Sequence, residues 1–200
     1  MIKRIIYYKL GLAYFMLMFV LKMTLPEWIG EENGPIENLQ LLWLAAGFAY
    51  CWQAKNFLHK DWVVNAKALW NAGMIYFFLL FMREISWGRT LLHNADGSIM
   101  QYSQLGLYGM FVHPLVGCLI ILLLILLYKA RVWRIFRHID FPLAGFLLLL
   151  LFILGSWIAE KGNLLVFHGQ LGEELAEFGA YMMMYFLLSD AGYQLKQLNR

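Results

Sequence analysis

Charge is scarce in this sequence. Of its 200 residues, 14% are Lys, Arg, Asp or Glu, where a water-soluble chain carries about 25%. So few charges cannot cover the surface of a chain this long, and part of its exterior must face hydrocarbon. A nucleic-acid binder, a disordered chain and an ordinary cytosolic enzyme are thereby excluded. Cysteine is scarce too: Cys51 and Cys118 are the two present, too few for a disulfide scaffold. They fall in different apolar segments, which predicts buried free thiols. Ser/Pro-rich linkers are missing, as are low-complexity runs other than leucine tracts, so residues 1–200 read as a single transmembrane domain.

What the chain has instead is apolar surface: 62% of residues are hydrophobic and the mean hydropathy is +0.60. A membrane-spanning helix needs roughly 20 mostly apolar residues. Six segments meet or approach that length, over about 5–25, 36–52, 66–82, 110–128, 141–159 and 173–193. The fourth and fifth carry the strongest signal, because 119–127 and 147–154 are almost unbroken Leu and Ile. The second and sixth open on glutamates, and four spans with two interfacial helices is the alternative. Met1-Ile-Lys-Arg followed by a long apolar stretch with no small-x-small cleavage pattern reads as an uncleaved signal-anchor helix.

Charge distribution then orients the chain. With six spans, twelve of the sixteen basic residues fall on one face, in clusters around Lys3, Lys55, Arg131 and Lys196. By the positive-inside rule that face is cytoplasmic, with both termini inside. The expected fold is an all-α polytopic integral membrane bundle of about six helices, N-in/C-in. All nine glutamates land on the outward face, gathered at helix ends.

Three outer helix ends hold the candidate chemistry. The first, Gly30-Glu-Glu-Asn-Gly-Pro-Ile-Glu37, enters span two with proline at the helix start, where its missing N–H costs nothing. Glu31, Glu32 and Glu37 there also act as ordinary N-terminal acids on the helix dipole. The second, Arg83-Glu-Ile-Ser-Trp-Gly-Arg89, leaves span three. Charges at that depth must be paired, while Trp87 and Ser86 suit the headgroup level. The third, Gly169-Gln-Leu-Gly-Glu-Glu-Leu-Ala-Glu177, enters span six and puts Glu173, Glu174 and Glu177 on one face, where like charges repel unless something binds between them. Glu177 lies ~10 Å inside the bilayer if Asp190 marks the inner boundary, and at the surface if Lys196 does.

Arg83–Arg89 (REISWGR), with the Gly34-x-x-Glu37 entry, resembles a segment of small multi-pass bacterial membrane proteins. The resemblance implies a bacterial origin and no named activity. His93, His113 and His168 also fall on the outer side, and imidazoles with carboxylates are the donor set for zinc, iron or manganese. No HExxH or paired-Cys motif accompanies them, and His113 before Pro114 also suits a helix start. Met182-Met-Met184 reads as packing. The basic stretch 129–137, with Trp133 and Phe136 interleaved, reads as an interfacial segment drawn to anionic lipid and not as a nucleic-acid patch.

Together these residues suggest an outward-facing site at the membrane boundary. Glu84, Glu177 and Glu37 are its expected catalytic acids, and Arg83, Arg89, Trp87 and Ser86 its expected substrate contacts. Glu173, Glu174, Glu177, His168 and His113 are its expected ligands for a divalent metal ion. Such a site suits cation-assisted hydrolysis or transfer of a lipid-linked group, with one glutamate as general base. Two other readings use the same residues. A cation or proton transporter would route ions over the carboxylates, although the inner halves of spans four and five are leucine-rich. A non-catalytic assembly subunit would use the Arg/Glu cluster to lock its hairpins. Membrane lipid is the expected partner; nucleic acid is not.

Overall fold

A computed structural model describes residues 2–57, 65–92, 100–161 and 169–198. All regular structure among them is helical. Helix α1 covers Ile2–Thr24, α2 Pro35–Phe57, α3 Ala66–Glu84, α4 Leu107–Lys129, α5 Val132–His138, α6 Leu143–Lys161 and α7 Gln170–Leu198. Short 3₁₀ turns follow α1 and α3 and precede α4.

Local chemistry sets the boundaries. Pro35 opens α2, and the Glu37 carboxylate reaches back to accept from the backbone N–H of Asn33, close to a capping box in its logic. Asn38 Nδ2 donates to the Gly34 carbonyl at 2.9 Å, closing the same turn. At α3 the Asn65 side chain accepts from Ala68 N at 2.9 Å, satisfying an amide that has no helical partner. Pro114 lies inside α4, where it removes one helical hydrogen bond.

Among the described residues, three helices are long and apolar enough to cross a membrane: 5–24 of α1, all of α4 and all of α6. In α4, 6% of the apolar window is buried within the protein, so its leucines and isoleucines present a surface that water would not tolerate and lipid would. Cys118 belongs to that outward surface. The expectation of two buried thiols therefore holds for Cys51 and fails for Cys118, because apolar sequence in this chain is as often lipid-facing as it is core.

The chain divides into two compact units, one of residues 1–46 and 139–198, the other of 47–138. In the first, α7 packs on α6 and α1. Met18, Phe152, Leu171, Leu175 and Met183 make its buried centre. Met182 and Met183 are buried there, in keeping with the packing role expected of them. Gly30 lets the turn after α1 approach the start of α7, since a Cβ at Gly30 would lie 2.5 Å from Leu171 Cα. In the second unit α3 packs on α4, and Trp70, Ala72, Phe77 and Cys51 are buried.

Candidate functional site: a carboxylate and amide cluster on α2 and α7

In the first unit the start of α2 and the first turns of α7 bring acids and amides together. Glu37 is 7% exposed and Gln40, one turn further along α2, is 0% exposed. Gln40 Nε2 donates to the backbone carbonyl of Glu174 at 2.9 Å and to its carboxylate at 2.7 Å. Its other amide atom, Oε1, is buried with no hydrogen-bond partner among the described residues, although a buried acceptor left unmatched costs about 1–3 kcal/mol. Glu177, one turn beyond Glu174, accepts from Ser156 Oγ of α6 at 3.3 Å and from the Tyr181 hydroxyl at 3.4 Å. The charges of Glu32 and Glu177 act on the Glu37 carboxylate, so these acids share one electrostatic environment.

α7 itself is held in place beneath them. Tyr14 of α1 donates its hydroxyl to the Leu175 carbonyl at 2.9 Å, and its ring meets Phe178 with centroids 5.2 Å apart. Beside the cluster lies a pocket of about 380 Å³ lined by Glu32, Glu160, Glu173, Glu174, Gly169 and Gln170. Glu160 pairs with Lys161 at 3.1 Å. Glu31 is exposed, as expected of a simple N-terminal acid.

The Arg83–Arg89 segment belongs to the second unit. Arg83 Nε pairs with Glu84 at 3.1 Å, and the Glu84 side chain is 6% exposed. After α3 the backbone turns left-handed over three consecutive residues, with φ of 45° at Ser86, 54° at Trp87 and 78° at Gly88. Such values cost about 1–2 kcal/mol for each residue other than glycine. Tyrosines hold the turn: the Tyr102 hydroxyl donates to the Ser86 carbonyl at 3.0 Å, and the Tyr108 hydroxyl to the Trp87 carbonyl. Trp87 is buried, its ring edge-on to Phe78 at 6.2 Å. The Arg89 guanidinium lies 5.1 Å from the Tyr102 ring centroid, and His113 meets the other side of this arrangement through the same ring at 5.5 Å. His113 lies within α4, with an exposed side chain.

Of the expected site residues, Glu37, Glu174 and Glu177 are thus gathered in the first unit, with Glu173 lining the adjoining pocket. In the second, Arg83 pairs with Glu84, Ser86, Arg89 and His113 each meet Tyr102, and Trp87 meets Phe78 and Tyr108. His168 and His93 lie outside the described residues. Sequence reading missed Gln40, Asn33, Tyr181 and Ser156 as members of the cluster. The spacing Glu37-x-x-Gln40 was the available signal, because two polar residues one turn apart lie on the same face of a helix. No family model matches the chain, and neither a curated protein nor a solved structure matches it.

Proposed function

We propose that the chain is a six-span protein of the cell membrane with both termini cytoplasmic, whose α2–α7 carboxylates bind a divalent cation on the outward side and use it to hydrolyse or transfer a lipid-linked group. Two features support the six spans. Helices α2, α3 and α7 have 23, 19 and 29 residues, close to or above the roughly 20 that a crossing requires. The basic clusters also fall on one side when all six segments cross, and removing any single inner segment from that count scatters them.

The observation that carries the reading is the pairing of buried Gln40 with Glu174 beside Glu177 and Glu37. Carboxylates gathered this closely raise one another's energy, and a bound cation relieves that repulsion. Carboxylate and amide oxygens are hard donors, suited to magnesium, calcium or manganese more than to thiophilic metals. Glu177 then has the place of a general base, oriented by donors from Ser156 and Tyr181. A bound divalent cation would contribute an acidified water and charge stabilisation.

The test uses purified full-length protein in nanodiscs of polar lipid extract. Calorimetric titration with Mn²⁺ or Mg²⁺ should give saturable binding, and lipid mass spectrometry should show a new cleavage or transfer product. Glu177→Gln keeps the size of the side chain while removing its charge and one of its two acceptor oxygens, so it should fold, bind the cation more weakly and form no product. Absence of cation binding by the unaltered protein overturns the reading.

A further inference from the structure

We infer that Arg89, stacked on Tyr102 with His113 on the same ring, is a binding site for a phosphoryl group at the membrane boundary. The inference stands on the second unit alone and holds whether or not the α2–α7 carboxylates take a cation. Arg89 is half-buried, and its Nε is closed to solvent with no hydrogen-bond partner among the described residues. Its guanidinium lies 5.1 Å from the Tyr102 ring centroid, within cation–π range. No carboxylate among the described residues pairs with it. A partly buried charge in that state is costly until a counter-charge arrives.

The surroundings hold this guanidinium in one place. The Tyr102 hydroxyl donates to the Ser86 carbonyl at 3.0 Å, which fixes the ring against the turn that leads into Arg89. Ser86, Trp87 and Gly88 in that turn are left-handed, and the Tyr108 hydroxyl fastens the turn to α4 through the Trp87 carbonyl. Strained backbone persists where its surroundings over-determine it, and it collects at ligand clamps. With one face on the ring and Nε buried, the guanidinium has the edge formed by its two Nη atoms left to offer. Parallel N–H donors in a plane match two oxygens of one phosphoryl group. His113 meets the same ring at 5.5 Å and has an exposed side chain. One aromatic ring thus carries two groups able to donate N–H to an anion.

Position selects the anion. Tyr108 is the second residue of α4, a helix long and apolar enough to cross a membrane. Leu107, Met110 and Phe111 beside it are exposed, an apolar surface that belongs in lipid. Tyr108 is exposed too, and a tyrosine at the end of such a helix suits the headgroup level. Arg89 follows two residues after the carbonyl that Tyr108 binds. The guanidinium therefore belongs at the depth of lipid phosphates. A lipid headgroup and a free phosphate present the same oxygens to its fork, and the test separates them.

Calorimetric titration of the full chain in a neutral maltoside detergent uses two probes, dihexanoylphosphatidic acid and inorganic phosphate. EDTA in the buffer keeps divalent cations from the α2–α7 carboxylates, so failure of that site leaves this result untouched. Saturable binding of the lipid alone identifies a membrane-borne ligand, and binding of both shows that the phosphoryl group suffices; either supports the inference. Arg89→Lys keeps the charge and loses the planar pair of donors, so it should weaken binding at least about tenfold. His113→Gln changes an exposed side chain, so the fold should hold, and binding should fall about three- to tenfold. Thermal melts identify a variant whose loss is one of folding; if Arg89→Lys is such a variant, His113→Gln decides. Binding of neither probe by the unaltered protein, or affinity within about twofold of the parent in each folded variant, overturns the inference.

Discussion

Gln40 and Glu174 lie 134 positions apart in sequence, yet one amide nitrogen of Gln40 binds both the backbone carbonyl and the carboxylate of Glu174, at 2.9 and 2.7 Å. That double contact ties the start of α2 to α7 at the level of the acids. It also places a polar side chain in a position fully closed to solvent, where an apolar residue would pack at less electrostatic cost. Retaining an amide there makes sense if its carbonyl side has something to meet.

Gln40→Leu should destabilise the first unit by about 2 kcal/mol, the range for losing a buried hydrogen bond to a charged group. Chemical unfolding in detergent, followed by tryptophan fluorescence, measures it. Gln40→Glu should be worse, since it replaces the donor to Glu174 with a further acid. A Gln40→Leu protein as stable as the parent would show that the contact does not organise α2 and α7.

Tyr181→Phe should leave the fold intact and lower cation affinity by a few-fold, because it removes one of the two described donors to Glu177. Adding Ser156→Ala should have a larger effect than the sum of the two single changes, as expected when two donors orient one carboxylate. Titration with Mn²⁺ reads both. Identical affinities in all four proteins would remove these side chains from the site.

Ser86 has a left-handed backbone that glycine adopts without penalty. Ser86→Gly should therefore be neutral or stabilising by up to about 1 kcal/mol, whereas Ser86→Val should cost about 1–2 kcal/mol. Thermal melts of the two variants decide it. Equal melting of both would mean that the turn is not left-handed in the folded protein.

Gly109 sits against the Tyr102 carbonyl, which a Cβ would overlap. Gly109→Ala should cost about 1–3 kcal/mol through overpacking. Because Tyr102 binds the Ser86 carbonyl, the same change should loosen the turn: the Tyr102→Phe loss, about 1 kcal/mol in the parent, should shrink when Gly109 is already alanine. Additive losses would uncouple the two positions.

The helical, apolar character of the chain was legible residue by residue. Hydropathy and turn chemistry act over one or two helical turns, so Pro35 and the leucine runs of α4 and α6 declared their elements locally. The acids of the site were legible for a related reason: Glu37, Glu174 and Glu177 are costly near hydrocarbon unless something compensates them, and this marks them without any partner being known. Their partners were not legible. Gln40 and Ser156 are unremarkable polar residues until packing brings them to a carboxylate, whereas Tyr181 reaches Glu177 one turn along α7.

Cys118 shows the converse limit. Leu- and Ile-rich flanks look the same whether a helix faces core or lipid, and packing left this thiol on the outside of α4 while burying Cys51. The left-handed run at Ser86, Trp87 and Gly88 is a further case, because serine and tryptophan have no preference for positive φ and contacts with Tyr102, Tyr108 and Phe78 hold them there. Sequence alone determined that the chain is helical, rich in lipid-compatible surface and acidic at a few helix ends, since these follow from the solvation of each residue in turn. The tertiary structure decided which groups on other helices meet those acids, because Gln40 reaches Glu174 across 134 positions and Ser156 reaches Glu177 from α6.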